Sequence, residues 1–181
     1  MAKLLANDQA SGEAGSQAKG PARGARRFSR RWFAWRLVFV PLVAAASLMV
    51  LSYTASPPDN LGEKNGKLAA CPDKPNCVST QAEDAVHQMS PLEVVDSIES
   101  TLEKIKSEIQ RAFPRAKLVR ETDHYLHYEF RSLVFRFVDD VEFLADDEGW
   151  VVHFRSAARV GHSDLGVNRK RMTKISESMK R

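Results

Sequence analysis

Cysteine is nearly absent from this chain of 181 residues: only Cys71 and Cys77 occur, both in one short loop, so a fold held by several disulfides is excluded. Metal signatures are missing too. No His/Cys set has the spacing of a four-ligand site, no Gly-rich loop follows an apolar strand to cradle a phosphate, and no Ser-His-Asp order stands out. The expectation is therefore of no metal and no cofactor. A basic excess on the folded part is also lacking, although the formal charge is +4. Residues 1–36 hold eight Lys/Arg against two acids, which leaves 19 Lys/Arg against 21 acids for residues 37–181. Nucleic-acid domains carry their basic surplus on the folded surface, so nucleic acid is not an expected partner.

Charge is absent altogether from residues 37–53, a run of 17. Trp32, Phe33, Ala34 and Trp35 extend it if Arg36 snorkels towards head groups, which reaches the short end of the roughly 17–25 residues a spanning helix needs. Arg23, Arg26, Arg27, Arg30, Arg31 and Arg36 precede the run and only Lys64 and Lys67 follow closely, so the positive-inside bias puts the N-terminus in the cytoplasm. Pro41 falls within a turn of the start of the uncharged run, where proline costs least. The expectation is a single transmembrane signal-anchor over residues 32–54, with the membrane as a partner and the rest of the chain exported. A cleaved signal is the rival. Ser29-Arg30-Arg31-Trp32-Phe33 resembles a twin-arginine export motif, but Tyr53-Thr54-Ala55 is a poor cleavage site. Leu68-Ala69-Ala70-Cys71 mimics a lipoprotein site but lies too far from the apolar run. Residues 1–31 lack the large apolar side chains needed to offset ordering entropy and read as a disordered basic tail; residues 55–67 read as a polar linker, and residues 68–181 as the folded domain.

In Cys71-Pro72-Asp73-Lys74-Pro75-Asn76-Cys77 an exported location favours a disulfide. A redox pair and a metal site stay open, although redox dithiols more often use Cys-x-x-Cys and metal needs two further ligands, His87 being the nearest.

The spacing predicts a helix opened by Ser90-Pro91-Leu92-Glu93 as a capping box, with Val95, Ile98, Leu102, Ile105 and Ile109 on one stripe and Pro114 ending it. Period two follows: a strand over residues 117–121, a second over 124–131 with Leu126, Tyr128 and Phe130 on one face, a third over 134–144, and a fourth over 150–158. His124 and His127, three apart on a strand, point to opposite faces and read as ordinary strand residues. Phe135, Phe137, Val141 and Phe143 share a face that Asp139 interrupts, and Asp146-Asp147-Glu148-Gly149 makes the last turn. Matching apolar residues sets Phe143 against Val152 and Val141 against Phe154, which brings Asp140 opposite Arg155, Glu142 opposite His153 and Asp139 opposite Ser156. Ser163 or Asp164 caps a closing helix with Asn168, Met172, Ile175 and Met179 on one side. The fold class is α+β: a single N-terminal transmembrane helix, then a two-layer domain in which a four-stranded antiparallel meander is flanked by an N-terminal and a C-terminal helix.

Five ordered motifs now stand together: Cys71-Pro72-x-x-Pro75-Asn76-Cys77-Val78-Ser79, Tyr125-Leu126-His127, Asp139-Asp140-Val141-Glu142-Phe143, Arg155-Ser156-Ala157-x-Arg159-x-Gly161-x-Ser163-Asp164 and Gly166-Val167-Asn168-Arg169-x-Arg171. Over about residues 68–178 they resemble the bacterial and plastid family known as domain of unknown function 1499. The resemblance implies no assigned activity. His153 and Ala158 depart from it mildly, the latter speaking against a hydroxyl role at position 158.

The residues singled out for a ligand are Asp139, Asp140, Glu142, Arg155, Arg159, Asn168 and Arg169. As a site, the arginines form an anion clamp and Asp139, on an apolar face, has a raised pKa. As framework, the same groups satisfy one another: Asp139 bonded by Ser156 and by an arginine or Asn168, Asp140 paired with Arg155. No nucleophile, base and orienter come together. The expectation is a non-enzymatic binding or interaction domain of the bacterial inner membrane, facing the periplasm, with a small molecule or an envelope protein as partner. An envelope hydrolase using Asp139 and the arginines is the alternative.

Overall fold

The computed structural model describes residues 30–181, and the basic tail read over residues 1–31 lies outside them except for Arg30 and Arg31, which begin the first helix. The chain divides into two compact units, Met1–Val38 and Phe39–Arg181. Of the first, only residues 30–38 are described, all helical. They open α1, Arg30–Thr54, a helix of 25 residues. Pro41 lies well inside α1 rather than in its first turn, because the helix begins upstream of the uncharged run. Leu37, Val38, Val40, Leu42 and Val50 are exposed. Among the described residues no helix is long and apolar enough to cross a membrane. In the second unit Ser52 Oγ donates to the Arg136 carbonyl at 2.6 Å.

The rest of the second unit is α+β, with an antiparallel sheet of six strands: β1 (Cys77–Ser79), β2 (Leu92–Glu93), β3 (Lys117–Thr122), β4 (Tyr125–Arg131), β5 (Val138–Asp146) and β6 (Val151–Ala158). The order is β1-β6-β5-β4-β3, with β2 beside β1 on the β6 edge. The four expected strands form the meander, and β1 and β2 extend it.

β2 replaces the expected helix start at Ser90. Leu92 is buried and pairs with Val152, so the residues read as a first helical turn complete a sheet edge. Pro91, which has no N–H to give a ladder, stands just outside that short edge strand. Helix α2, Ile98–Ala112, is capped instead by Ser97, whose Oγ accepts from Ser100 N while Ser100 Oγ accepts from Ser97 N. Val95, preceding this helix, is 76% exposed. The remaining stripe, Ile98, Leu102, Ile105 and Ile109, is buried as its spacing dictates. It packs with Met172 and Ile175 of α3, Val167–Met179, against Tyr128, Phe130, Val141, Phe143 and Phe154.

β5 begins at Val138, four residues later than expected. Arg136 has a left-handed backbone (φ 58°), and Ser132 N donates to the Phe137 carbonyl while Phe137 N donates to Ser132 Oγ, which closes residues 132–137 into a loop. Phe135 and Phe137 stack there, centroids 5.7 Å apart, half-buried and off the strand. The β5–β6 register also differs, by two residues: Phe143 faces Phe154, Glu142 faces Arg155, Asp140 faces Ala157 and Asp139 faces Ala158. The turn causes this. Asp146 still pairs with Val151, and its Oδ1 accepts the N–H groups of Glu148 and Gly149, so the loop starts one residue later than expected and includes Trp150. A Cβ at Gly149 would meet Asp146 Oδ2 at 2.6 Å, which is why glycine stands there. A slip of two keeps every side chain on its face, so the expected faces survive while the expected partners do not.

Cys71 and Cys77 form a disulfide. The small ring it closes removes little chain entropy, worth about 2 kcal/mol. Strand β1 leaves this ring directly. The expected two layers become three, because residues between Pro58 and Asn76 cover the face of the sheet opposite the helices. Gly62 N donates to Glu142 Oε1 at 2.7 Å, and Leu68 packs with Tyr125 and Leu144.

Candidate functional site

Alternation along β4, β5 and β6 sends one set of side chains to the helices and the other to the covered face. On the covered face stand Tyr125, His127 and Glu129 of β4, Asp140 and Glu142 of β5, and Arg155 of β6, with Arg159 just beyond. Nearly all are buried, and they are held by one another. Arg159 Nε donates to Asp140 Oδ2 at 2.7 Å, and its Nη2 donates to Asp140 Oδ1 at 2.7 Å and Glu129 Oε1 at 2.6 Å. His127 Nε2 lies 2.8 Å from Asp140 Oδ1. Glu142 accepts from Tyr125 Oη, Gly62 N and Arg155 Nη1.

The electrostatics follow burial and pairing. Burial pushes the Asp140 carboxyl up, but the hydrogen bonds from Arg159 and His127 outweigh it and hold it below the usual carboxylate range. Glu129 is lowered in the same way, burial opposing and Arg159 and Arg131 prevailing. The Tyr125 hydroxyl is pushed upward by burial and by the neighbouring Glu142 charge.

Beside this network lies a cavity of about 310 Å³, lined by Asn60, Lys74, Asn76, Asp140, Arg155 and Arg159 among others. Arg155 is 4% exposed, yet its Nε has no hydrogen-bond partner among the described residues, and the same holds for Asn76 Oδ1. Both atoms belong to residues that line the cavity.

The helix-side face holds a second, separate group. Arg171 Nη2 donates to Asp139 Oδ2 at 2.6 Å, and Arg171 Nη1 reaches Asn168 Oδ1 at 2.5 Å and Ser156 Oγ at 3.2 Å. Ser156 Oγ donates to Asn168 Oδ1 at 2.6 Å, and Asn168 Nδ2 donates to the Asn76 carbonyl at 3.0 Å. The Arg171 guanidinium also lies 4.5 Å from the centroid of the Phe130 ring. Burial raises the Asp139 carboxyl, with Arg171 working against it.

Of the seven residues singled out, Asp140, Glu142, Arg155 and Arg159 are therefore brought together, and Asp139 and Asn168 lie across the sheet from them. Arg169 joins neither group: its guanidinium donates to the Val86 and Gln88 carbonyls. The expected Asp140–Arg155 pair is replaced by Asp140–Arg159 and Glu142–Arg155, as the shifted register requires. His127, Tyr125, Glu129 and Arg171 were not among the seven. The polar alternation Tyr125-His127-Glu129 carried the signal for three of them, and Arg171, three residues after Asn168 on a helix, for the fourth. Among the described residues no group of three or more His, Cys, Asp or Glu could hold a metal ion.

His87 pins the cavity-lining loop from behind. Its Nδ1 lies 2.7 Å from Asp84 Oδ1 and its Nε2 lies 3.0 Å from the Lys74 carbonyl. Both partners are acceptors, so the doubly protonated ring suits the site, and the Lys74 carbonyl, the Asp84 carboxylate and more distantly Asp73 raise its pKa. A raised folded value means that the stabilisation is fully present below the unfolded pKa of about 6.5 and is lost as pH rises through the folded value. We expect the melting temperature of the wild type to exceed that of His87→Gln by more at about pH 5.5 than at about pH 8.5. A pH-independent gap would mean that folding leaves the pKa of the ring unchanged, and a gap that widens as pH rises would mean that the ring is held neutral.

Among known proteins, the family described as "Protein of unknown function (DUF1499)" matches residues 67–179. No curated protein and no solved structure matches the chain.

Proposed function

The chain belongs to the family described as "Protein of unknown function (DUF1499)", and from that premise we propose that it is a membrane-tethered binding domain of the cell envelope that takes a small acidic ligand in the cavity beside Arg155 and Arg159. The observation that carries the reading is a cavity lined by Lys74, Arg155 and Arg159 with Asp140 as its one acidic lining residue. The cavity's size falls at the lower end of ligand pockets, roughly 300–1,000 Å³. The tether is supported by the 17 uncharged residues of 37–53, by the arginines preceding them, and by the exposed apolar side chains of α1. The same bias puts the domain outside the cytoplasm, where a disulfide persists. The hydrolase alternative gains nothing, because Asp139 is bound to Arg171 on the opposite face of the sheet from Arg155 and Arg159.

Full-length protein in detergent is to be titrated calorimetrically with small carboxylic acids. Saturable binding is expected, weakened at least about tenfold by Arg155→Lys, which keeps the charge but removes the planar fork of donors. If no acid in the series binds, the ligand reading fails. Release of the protein from native membranes by an alkaline carbonate wash would overturn the tether.

A further inference from the structure

One end of the sheet carries an exposed apolar patch. The loop between β4 and β5 reads Ser132-Leu133-Val134-Phe135-Arg136-Phe137, in which Leu133 and Val134 are each 67% exposed and Phe135 and Phe137 are half-buried. Consecutive apolar side chains are a liability on a surface that meets only water, and they mark one that meets something else. The loop is also preformed. Two hydrogen bonds between Ser132 and Phe137 close it, the left-handed backbone of Arg136 bends it, and the rings of Phe135 and Phe137 stack within it.

Its place in the fold says what it meets. The Arg136 carbonyl accepts from Ser52 Oγ at 2.6 Å, and Ser52 is 2% exposed. Ser52 lies in the last turn of α1, which ends at Thr54, so only about 3 Å of helix lies beyond it. Leu133 and Val134 are within about 11 and 7 Å of chain from Arg136. In the tether reading the end of α1 emerges from the bilayer, and the exposed loop side chains then stand beside it at the depth of the head groups. Charge agrees with this. Exposed Arg136 and Arg131, the latter also paired with Glu129, flank the apolar pair, and no acidic residue lies from Phe130 to Val138. An apolar tip with a cationic rim suits a lipid interface, where apolar groups enter the acyl boundary and cations stay with the phosphates. Two copies of the chain packed by this patch would instead set arginine against arginine. We infer that the β4–β5 loop dips into the outer face of the bilayer that α1 spans, so that this end of the sheet rests on the lipid.

This inference rests on the tether proposed above, and the test separates the two. Cys71 and Cys77 are joined and the chain has no other cysteine, so an added one is labelled alone. Full-length protein is reconstituted into vesicles of phosphatidylcholine and phosphatidylglycerol, with an environment-sensitive fluorophore on Val134→Cys or on Val95→Cys. Val95 is 76% exposed and marks the opposite end of the sheet, since Val94 N donates to the Trp150 carbonyl at the β5–β6 turn. The length of β5, about 26 Å, separates that turn from the loop. With lipid carrying a nitroxide near the head group, the label at 134 is expected to be quenched at least about threefold more than the label at 95, because interfacial side chains sit about 5–10 Å into the acyl boundary. Leu133→Asp, at an exposed position, is expected to abolish that difference while the protein still resists an alkaline carbonate wash. Equal quenching at 134 and 95 in carbonate-resistant protein overturns the loop contact and leaves the tether standing. Quenching that survives Leu133→Asp assigns the contact to the label and also overturns the inference. A blue shift at 134 without quenching, growing with the ratio of protein to lipid, gives the patch to a second copy and overturns the bilayer as its occupant. Release by carbonate overturns the tether itself, and the loop contact with it.

Discussion

Replacing Arg159 with alanine is expected to lower the stability of the folded domain by about 3–5 kcal/mol, the penalty for leaving buried charges without their partner. The side chain of Arg159 is 4% exposed and those of Asp140 and Glu129 are 2% and 8%, so in the folded domain the guanidinium, and not water, supplies most of their hydrogen bonds. His127 stays with Asp140, and Arg131 stays with Glu129, but the two remaining contacts cannot neutralise both acids from where they stand. Chemical unfolding of the full-length protein in detergent measures the loss, which corresponds to a fall in melting temperature on the order of 10 °C. Arg131→Ala is the control: its side chain is 38% exposed, and exposed pairs contribute about 0–1 kcal/mol. The network also sets an acid limit. Asp140 has a lowered pKa when folded, so its contribution is present above the unfolded value of about 4 and is lost as pH falls through the folded value. A loss below about 1 kcal/mol for Arg159→Ala would mean that water from the adjoining cavity replaces the guanidinium.

Truncation of Phe143 to alanine is expected to cost about 3–5 kcal/mol, while the same change at Phe135 is expected to cost about 1 kcal/mol or less. Phe143 is fully buried, faces Phe154 across the ladder with ring centroids 6.5 Å apart, and belongs to the main core. Phe135 stacks on Phe137 in the loop before β5 and remains half-buried. Strict alternation puts both aromatics on one strand face and so gives them equal weight. Denaturant midpoints of the two variants distinguish these possibilities, and equal losses would restore the longer strand.

That contrast indicates how much can be read from the residues. Apolar periodicity locates the lower part of α2, the meander strands and the buried side of α3, because in each the burial of one face dominates the local choice of structure. It fails where backbone pairing overrides it. Ser90-Pro91-Leu92-Glu93 reads as a respectable capping box, but the sheet edge takes Leu92 and Glu93 for its hydrogen bonds, and Ser97 with Ser100 makes an equivalent cap seven residues later. Apolar matching cannot detect a register slip of two, since Val and Phe alternate on both strands and each alignment keeps the faces right. For the site, the charged residues of β5 and β6 draw attention by composition alone. His127 and Glu129 do not, because a polar strand face normally looks to water, and nothing in a linker-like stretch around Gly62 announces that it will cover that face. Asn76 escapes for a different reason: within a cysteine ring its neighbours claim the attention, and its unpaired oxygen exists only in three dimensions.

The cover over the polar face begins well before residue 67, where the family match starts. Pro58 and Asn60 line the cavity and Gly62 supplies one of the three donors to Glu142, a carboxylate with no exposed surface. A fragment cut at the family boundary would keep every strand, both packing helices and the cover from Leu68 to Asn76, but the cavity would lose Pro58 and Asn60 from its lining and the buried Glu142 would lose one of its three donors. The smallest piece that keeps the whole cover is thus longer than the piece that defines kinship, and it begins upstream of Pro58.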